Sequence, residues 1–112
     1  MPDFGNVLEM DLTPDLARRL LKEIAGADDG RVYFADHAEE KMTQRRITRM
    51  QVIRCLKSGR IAEGPYWDHE YDDWKVNMEV MSAGNVIGVV AALDFDDNDK
   101  RNVSIVVTAF YC

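Results

Sequence analysis

The spacing of apolar residues changes character near the middle of the chain. Before Gly59 they recur every three or four positions, and after Arg60 they alternate. Leu16, Leu20, Leu21 and Ile24 lie on one helical stripe. Thr13-Pro14 precedes them: a threonine hydroxyl can accept from the first free N–H groups, and proline suits the first turn. This predicts a helix that ends near Gly26, followed by the loop "GADDG". Arg31 to Ala35, "RVYFA", is short and aromatic and predicts a strand. Asp36 and Glu39 have capping-box spacing, so a second helix is expected from His37 to about Arg45. Thr48 caps a third helix that stops at Gly59, read as a left-handed end.

Beyond Arg60 the pattern is that of strands. Ile61 to Trp67 is interrupted by Gly64-Pro65, which fits an edge strand or a bulge. In "DWKVNMEVMS", Trp74, Val76, Met78 and Val80 point one way and Lys75, Asn77 and Glu79 the other, giving a half-buried strand with a polar face. "SAGN" is a tight hairpin turn, and Val86 to Leu93 is apolar on both faces, as a central strand should be. After "DFDDNDK", Val103 to Tyr111 forms the last strand. The expected fold class is α+β: helix, strand and two helices packed on a four- to five-stranded, mainly antiparallel sheet. Its 112 residues suit a single domain, with residues 1–30 as a helical extension of a core over 31–112.

Composition narrows the class and then raises a question. Hydrophobic residues at 46% and charged residues at 30% describe a globular protein rather than a disordered one. The longest apolar run is far short of the about 20 residues that cross a bilayer, and the first ten residues lack the pattern of a signal peptide. A cytoplasmic protein without a membrane partner is expected. Cys55 and Cys112 have no metal or redox spacing and read as reduced, structural thiols. The net charge is −6, yet Arg31 to Arg60 holds eight Lys/Arg against three acids. That segment is +5, which leaves −11 for the remainder.

His37, Lys41 and Arg45 recur every four residues and form one ridge on the second helix, and Arg46 and Arg49 continue its charge. A solvated helix face accounts for such a ridge, but a localised basic patch also attracts phosphate whatever the net charge. His37 falls in the first helical turn, whose positive end favours a neutral imidazole able to accept a proton. A base beside cations suits phosphodiester cleavage, in which a ribose 2′-hydroxyl is activated and charge on the phosphate is stabilised. "WDHEYDD" groups carboxylates and His69 without a metal motif, and reads as a solvated turn. "DFDDNDK" starts like a calcium loop but lacks its glycine and terminal glutamate. No metal or cofactor is expected. Tyr66, Trp67, Tyr71 and Trp74 could stack on bases, although core packing suits Trp74 better.

"YFADHAEEKMTQRRITRMQVIRCLKSGRI" and the closing "SIVVTAFY" resemble a small bacterial family, the domain of unknown function 4258. The resemblance lies in His37-Ala38 near a helix start, Met42 and Arg46 one and two turns later, Ile47-Thr48 opening the next helix, Gly59 and Ile61 before the strands, and Thr108 to Tyr111 at the end. It covers about Arg31 to Tyr111. It implies a fold similar to RelE and the barnase-like ribonucleases, in proteins suspected as toxins of toxin–antitoxin pairs, some of them MqsR-like in lying beside an antitoxin gene. The implied partners are RNA, including RNA on the ribosome, and an antitoxin protein.

On that resemblance His37 is the general base and Arg46 a catalytic phosphate contact, with Tyr111 catalytic and Thr108 substrate-binding on the last strand. The helix ridge adds Lys41 to the catalytic set and Arg45 and Arg49 to the substrate contacts, and the polar strand face adds Lys75. A regular strand puts Thr108 and Tyr111 on opposite faces. Two functions follow: a toxin-like, metal-independent endoribonuclease working by 2′-hydroxyl attack, and a non-catalytic protein- or RNA-binding domain of the same fold.

Overall fold

Thr13 and Pro14 start the first helix by the expected chemistry. In the computed structural model, which describes residues 5–112, α1 spans Pro14–Ala27, and the Thr13 hydroxyl accepts from the Leu16 N–H at 3.2 Å. There follow β1 (Val32–Phe34), α2 (Asp36–Arg45), α3 (Arg49–Ser58), β2 (Arg60–Asp68), β3 (Asp73–Ser82), β4 (Asn85–Asp96) and β5 (Arg101–Tyr111). The three helices pack on an open five-stranded sheet of order β1-β5-β4-β3-β2, an α+β fold. All neighbours are antiparallel except β1 and β5, so the sheet is mixed.

The alternation in β3 sets which face is dry. Trp74, Val76, Met78 and Val80 pair across to Leu93, Ala91, Val89 and Ile87 of β4, which pair in turn to Ser104, Val106, Ala109 and Tyr111 of β5. These positions share the helix face, where Val76, Met78, Ile87, Val89, Ala91, Leu93, Val106 and Ala109 are buried. Among the described residues no helix covers the other face. Gly64 and Pro65 do lie on an edge strand, with a cis peptide between them, one register shift across them between Glu63 and Tyr66 and another just before, between Ile61 and Glu63. The hairpin at Ser82–Asn85 turns through Ala83 and Gly84, both at positive φ, as a two-residue primed turn requires.

Residues between Val7 and Ala25 join the core. Leu20, Leu21 and Ile24 of α1 are fully buried, as is Val7 from a short 3-10 turn, Val7–Glu9. Side chains of the sheet fix that turn: Asn102 Oδ1 accepts from the Val7 N–H at 2.9 Å, and Trp74 Nε1 donates to the Val7 carbonyl at 3.1 Å.

Two expectations about helix ends need correction. Ala35, not Asp36, is the N-cap of α2, and no side chain caps it. Asp36 occupies the first turn, where a carboxylate favours the helix dipole without closing a capping box. Gly59 is extended, at φ −74°, rather than left-handed. Glycine serves there through close approach, since a Cβ would lie within 3.0 Å of the Cys55 and Glu79 carbonyl oxygens. The capping box is formed instead at α3, between Thr48 and Gln51.

Two substitutions test this packing. Because the obstructing atoms are backbone, Gly59→Ala is expected to cost about 1 to 3 kcal/mol in urea unfolding. Leu21→Ala is expected to cost about 2 to 5 kcal/mol. A loss below about 0.5 kcal/mol for Leu21→Ala would contradict an N-terminal segment built into the core.

Candidate functional site

The uncovered face of the sheet holds a trough of about 390 Å³ lined by Ala35, His37, Tyr71, Asp73, Lys75, Ala92, Ile105 and Val107. Four stretches of chain meet there. The β1–α2 junction brings His37; β5 and β4 supply the apolar floor; β3 brings Asp73 and Lys75; the β2–β3 turn brings Tyr71. Three strand intervals separate the β1–α2 side from β3, about 14 Å at ~4.8 Å each. His37 and Lys75 therefore flank the floor. His37 is exposed, and its imidazole has no hydrogen-bond partner among the described residues.

α2 is held against β5 where β1 stops. The β1–β5 pairing ends at Phe34 and Val106, and the Ala35 N–H donates to the Val106 carbonyl at 3.2 Å. Farther along that edge Arg45 Nη1 donates to the Ala109 carbonyl at 2.8 Å and reaches Thr108 Oγ1 at 3.4 Å. The ridge His37, Lys41, Arg45 thus borders the open face. A bulge at Val107 places both Val107 and Thr108 against Val90, so Thr108 shares the open face. Tyr111 pairs with Ile87 on the helix face, and its hydroxyl donates to the Arg46 carbonyl at 3.4 Å. Thr108 and Tyr111 do face opposite ways, and both lie at the end of α2.

Other basic residues are engaged elsewhere. Arg49 pairs with Glu39 and lies 4.7 Å over the Phe34 ring, away from the trough. Arg46 is the left-handed end of α2, at φ 56°, with its side chain in solvent. Of the expected residues, His37 and Lys75 line the trough, Lys41, Arg45 and Thr108 border it, and Arg46, Arg49 and Tyr111 lie outside.

Lys75 differs most from expectation. The polar face of β3 is not simply solvated there: Lys75 is 6% exposed, and its ammonium pairs with Asp73 and, at 3.2 Å, with Asp68. Burial pulls the ammonium down, but hydrogen bonds to Asp73 and Asp68 outweigh it and hold Lys75 above its ordinary value. Burial also raises the Asp68 carboxyl, and there the bonds from Lys75 and from the Glu70 and Tyr71 N–H groups win, holding it below the usual carboxylate range. For Asp73 burial wins and the carboxyl is pushed up. The directions for Lys75 and Asp73 conflict for one ion pair. The contacts favour a charged lysine, because Asp68 pairs it even where Asp73 takes up a proton. Its ammonium is therefore held between two carboxylates. Its Nζ lies 4.8 Å from the centroid of the Tyr71 ring.

The cysteines carry no reactive signature. Burial, with lesser contributions from Cys112 and Glu79, pushes the Cys55 thiol up to about 12. Burial and Glu79 also raise Cys112. Asp96 Oδ1 accepts from the Asn98 and Asp99 N–H groups, so "DFDDNDK" is organised as a turn. Among the described residues no three His, Cys, Asp or Glu side chains group as a metal site, and no helix is long and apolar enough to cross a membrane.

The family model for a domain of unknown function, DUF4258, matches residues 34–111, and the chain belongs to that family. The match includes β2 to β5, α2 and α3, and excludes α1. Neither a curated protein nor a solved structure gives a match.

Removing the ammonium tests the cluster. Lys75→Met is expected to cost roughly 3 kcal/mol near pH 7, the low end for breaking a buried pair, because one side opens to water. The wild-type ammonium, held above 10.5, contributes fully below that pH and loses its contribution as pH rises through the raised value. The variant strands two carboxylates, so its deficit should shrink as pH falls to about 4 and they take up protons. Urea unfolding across that range checks this, and a deficit that grows on acidification would rule it out.

Proposed function

We propose that this member of the family is a metal-independent endoribonuclease that holds RNA in the trough on its open face. The supporting observation is the placement of His37: an exposed imidazole with no protein partner among the described residues, set at the rim of a concave sheet surface. Lys41 and Arg45 stand one and two turns along the same rim. His37 takes the proton from a ribose 2′-hydroxyl, and the 2′-oxygen attacks the adjacent phosphorus. The 5′-oxygen leaves and takes a proton from water, giving a 2′,3′-cyclic phosphate and a 5′-hydroxyl. Lys41 and Arg45 stabilise the charge that builds on the phosphate oxygens. Toxin activity controlled by an antitoxin protein would be one use of such an enzyme, and a cytoplasmic setting supplies its substrate.

A second reading has its own observation. On the outer face of α3, Met50 is 83% exposed beside Ile53, Arg54 and Lys57, and neither Arg54 nor Lys57 has an ion-pair partner among the described residues. An apolar anchor beside two unpaired cations suits an acidic protein segment. In that reading the domain docks and does not cut.

Labelled RNA incubated in EDTA with wild type and His37→Ala separates the two. Cleavage leaving a cyclic phosphate is expected, with a loss of about 100- to 10,000-fold in the variant, as for removal of a general base. Tyr111→Phe is expected to cut at the wild-type rate. If wild type cuts neither free RNA nor RNA on translating ribosomes, the docking reading replaces the enzyme.

A further inference from the structure

Tyr71 combines exposure with rigid support. It lies in the turn between β2 and β3, 66% exposed, where a side chain would ordinarily be free to move. Here both its backbone and its ring are fixed. Asp68 Oδ1 accepts from the Glu70 N–H at 2.9 Å and the Tyr71 N–H at 3.3 Å, which shapes the turn. Asp68 Oδ2 pairs with Lys75, Asp73 pairs with Lys75 from the other side, and the ammonium so held caps one face of the Tyr71 ring at 4.8 Å.

Stability alone does not call for this arrangement. Position 75 lies opposite Ala92 and next to an apolar floor, and replacing Asp68, Lys75 and Asp73 together by apolar side chains would leave the fold as stable as the buried ion cluster does or more so. What the cluster supplies is orientation: one ring face rests on a fixed cation, and the rest of the side chain borders the trough.

We propose that Tyr71 is a stacking platform for an unpaired nucleotide base, and that Asp68, Lys75 and Asp73 are positioning residues that aim its ring. The proposal rests on the reading of the trough as an RNA site and deepens it by naming the substrate class. A base inside a duplex is already stacked between its neighbours and cannot lie on a side chain, whereas a single strand offers its bases freely. The substrate is therefore single-stranded RNA. One base sits on Tyr71 while its phosphodiester chain runs over Ile105 and Val107 toward His37. Stacking tolerates any base, so this contact selects strandedness rather than sequence.

The test measures binding in a His37→Ala background, so that cleavage does not consume the probe. Fluorescence anisotropy at low salt compares a fluorescein-labelled single-stranded oligouridine with an abasic ribose-phosphate chain of equal length. The oligouridine is expected to bind more tightly than the abasic chain. Adding Tyr71→Ala should weaken the oligouridine by about 10- to 100-fold and leave the abasic chain unchanged. Tyr71→Phe should retain binding, and Tyr71→Leu, apolar but without a π face, should fall with Tyr71→Ala. Thermal denaturation confirms that these exposed-site variants are folded. If the two chains bind equally, or Tyr71→Leu binds like the parent, the stacking proposal is overturned while RNA binding stands. If neither chain binds, the RNA reading fails and the proposal with it.

Discussion

The candidate site depends on a strand that loses its neighbour halfway. β5 is paired on both edges through Val106 and beyond that only to β4. Backbone groups on an edge must find partners or face water. α2 takes up the freed edge, with the Ala35 N–H on the Val106 carbonyl at one end and the Arg45 guanidinium on the Ala109 carbonyl at the other. The helix therefore packs along β5 at the margin of the sheet. That course brings His37 level with the open face and leaves Ala38 and Met42 to meet the core. The bulge at Val107 completes the arrangement: one extra residue keeps Val107 and Thr108 on the open side while Val106 and Ala109 stay buried.

Covering one face fully is what leaves the other available. The helix face is closed by α1, α3 and the turn at Val7, all within one apolar cluster. Among the described residues the open face has no such lid and manages its central strands differently. Phe110 lies across Gly88, where a Cβ would sit within 3.0 Å of its ring, so an aromatic side chain covers bare backbone at one end. At the other end the cover is ionic, through Asp68, Lys75 and Asp73. Between them the floor of Ile105, Val107 and Ala92 stays accessible enough to line a cavity.

Much of this was legible in the sequence because the relevant forces are local. Alternation in β3 identified the dry face, Thr13 and Thr48 marked helix starts, and Gly64-Pro65 marked an edge. The errors arose where a local signal has two physical causes. Asp36 and Glu39 look alike whether they close a capping box or decorate a first turn. Gly59 looks alike whether it supplies a left-handed end or merely lacks a side chain that would strike the Cys55 and Glu79 carbonyls. Lys75 is the deeper case. Alternation reports which way it points, and only the register of Asp68 opposite Asp73 reveals that two carboxylates await it. For the same reason Tyr71 stood out only as one of four clustered aromatics, and its support could not be read at all.

The charge puzzle in the sequence also resolves by position. Of the basic residues from Arg31 to Arg60, Arg31 pairs with Glu23 and Asp29, Arg49 with Glu39, and Arg60 with Glu79. Lys41, Arg45, Arg46, Arg54 and Lys57 have no carboxylate partner among the described residues. The surplus acid lies elsewhere, much of it at the turns joining β2 to β3 and β4 to β5. Eight residues of β5 separate Arg101, beside one of those turns, from Ala109, where Arg45 is bound. That is about 26 Å at ~3.3 Å per residue, more than two Debye lengths of about 10 Å in 0.1 M salt. At that range the acidic turns hardly weaken the field of Arg45. A phosphate near that end of the ridge meets the local cations and not the net charge of −6. At the Arg45 end the acidic total and the basic ridge are compatible because the fold keeps them apart.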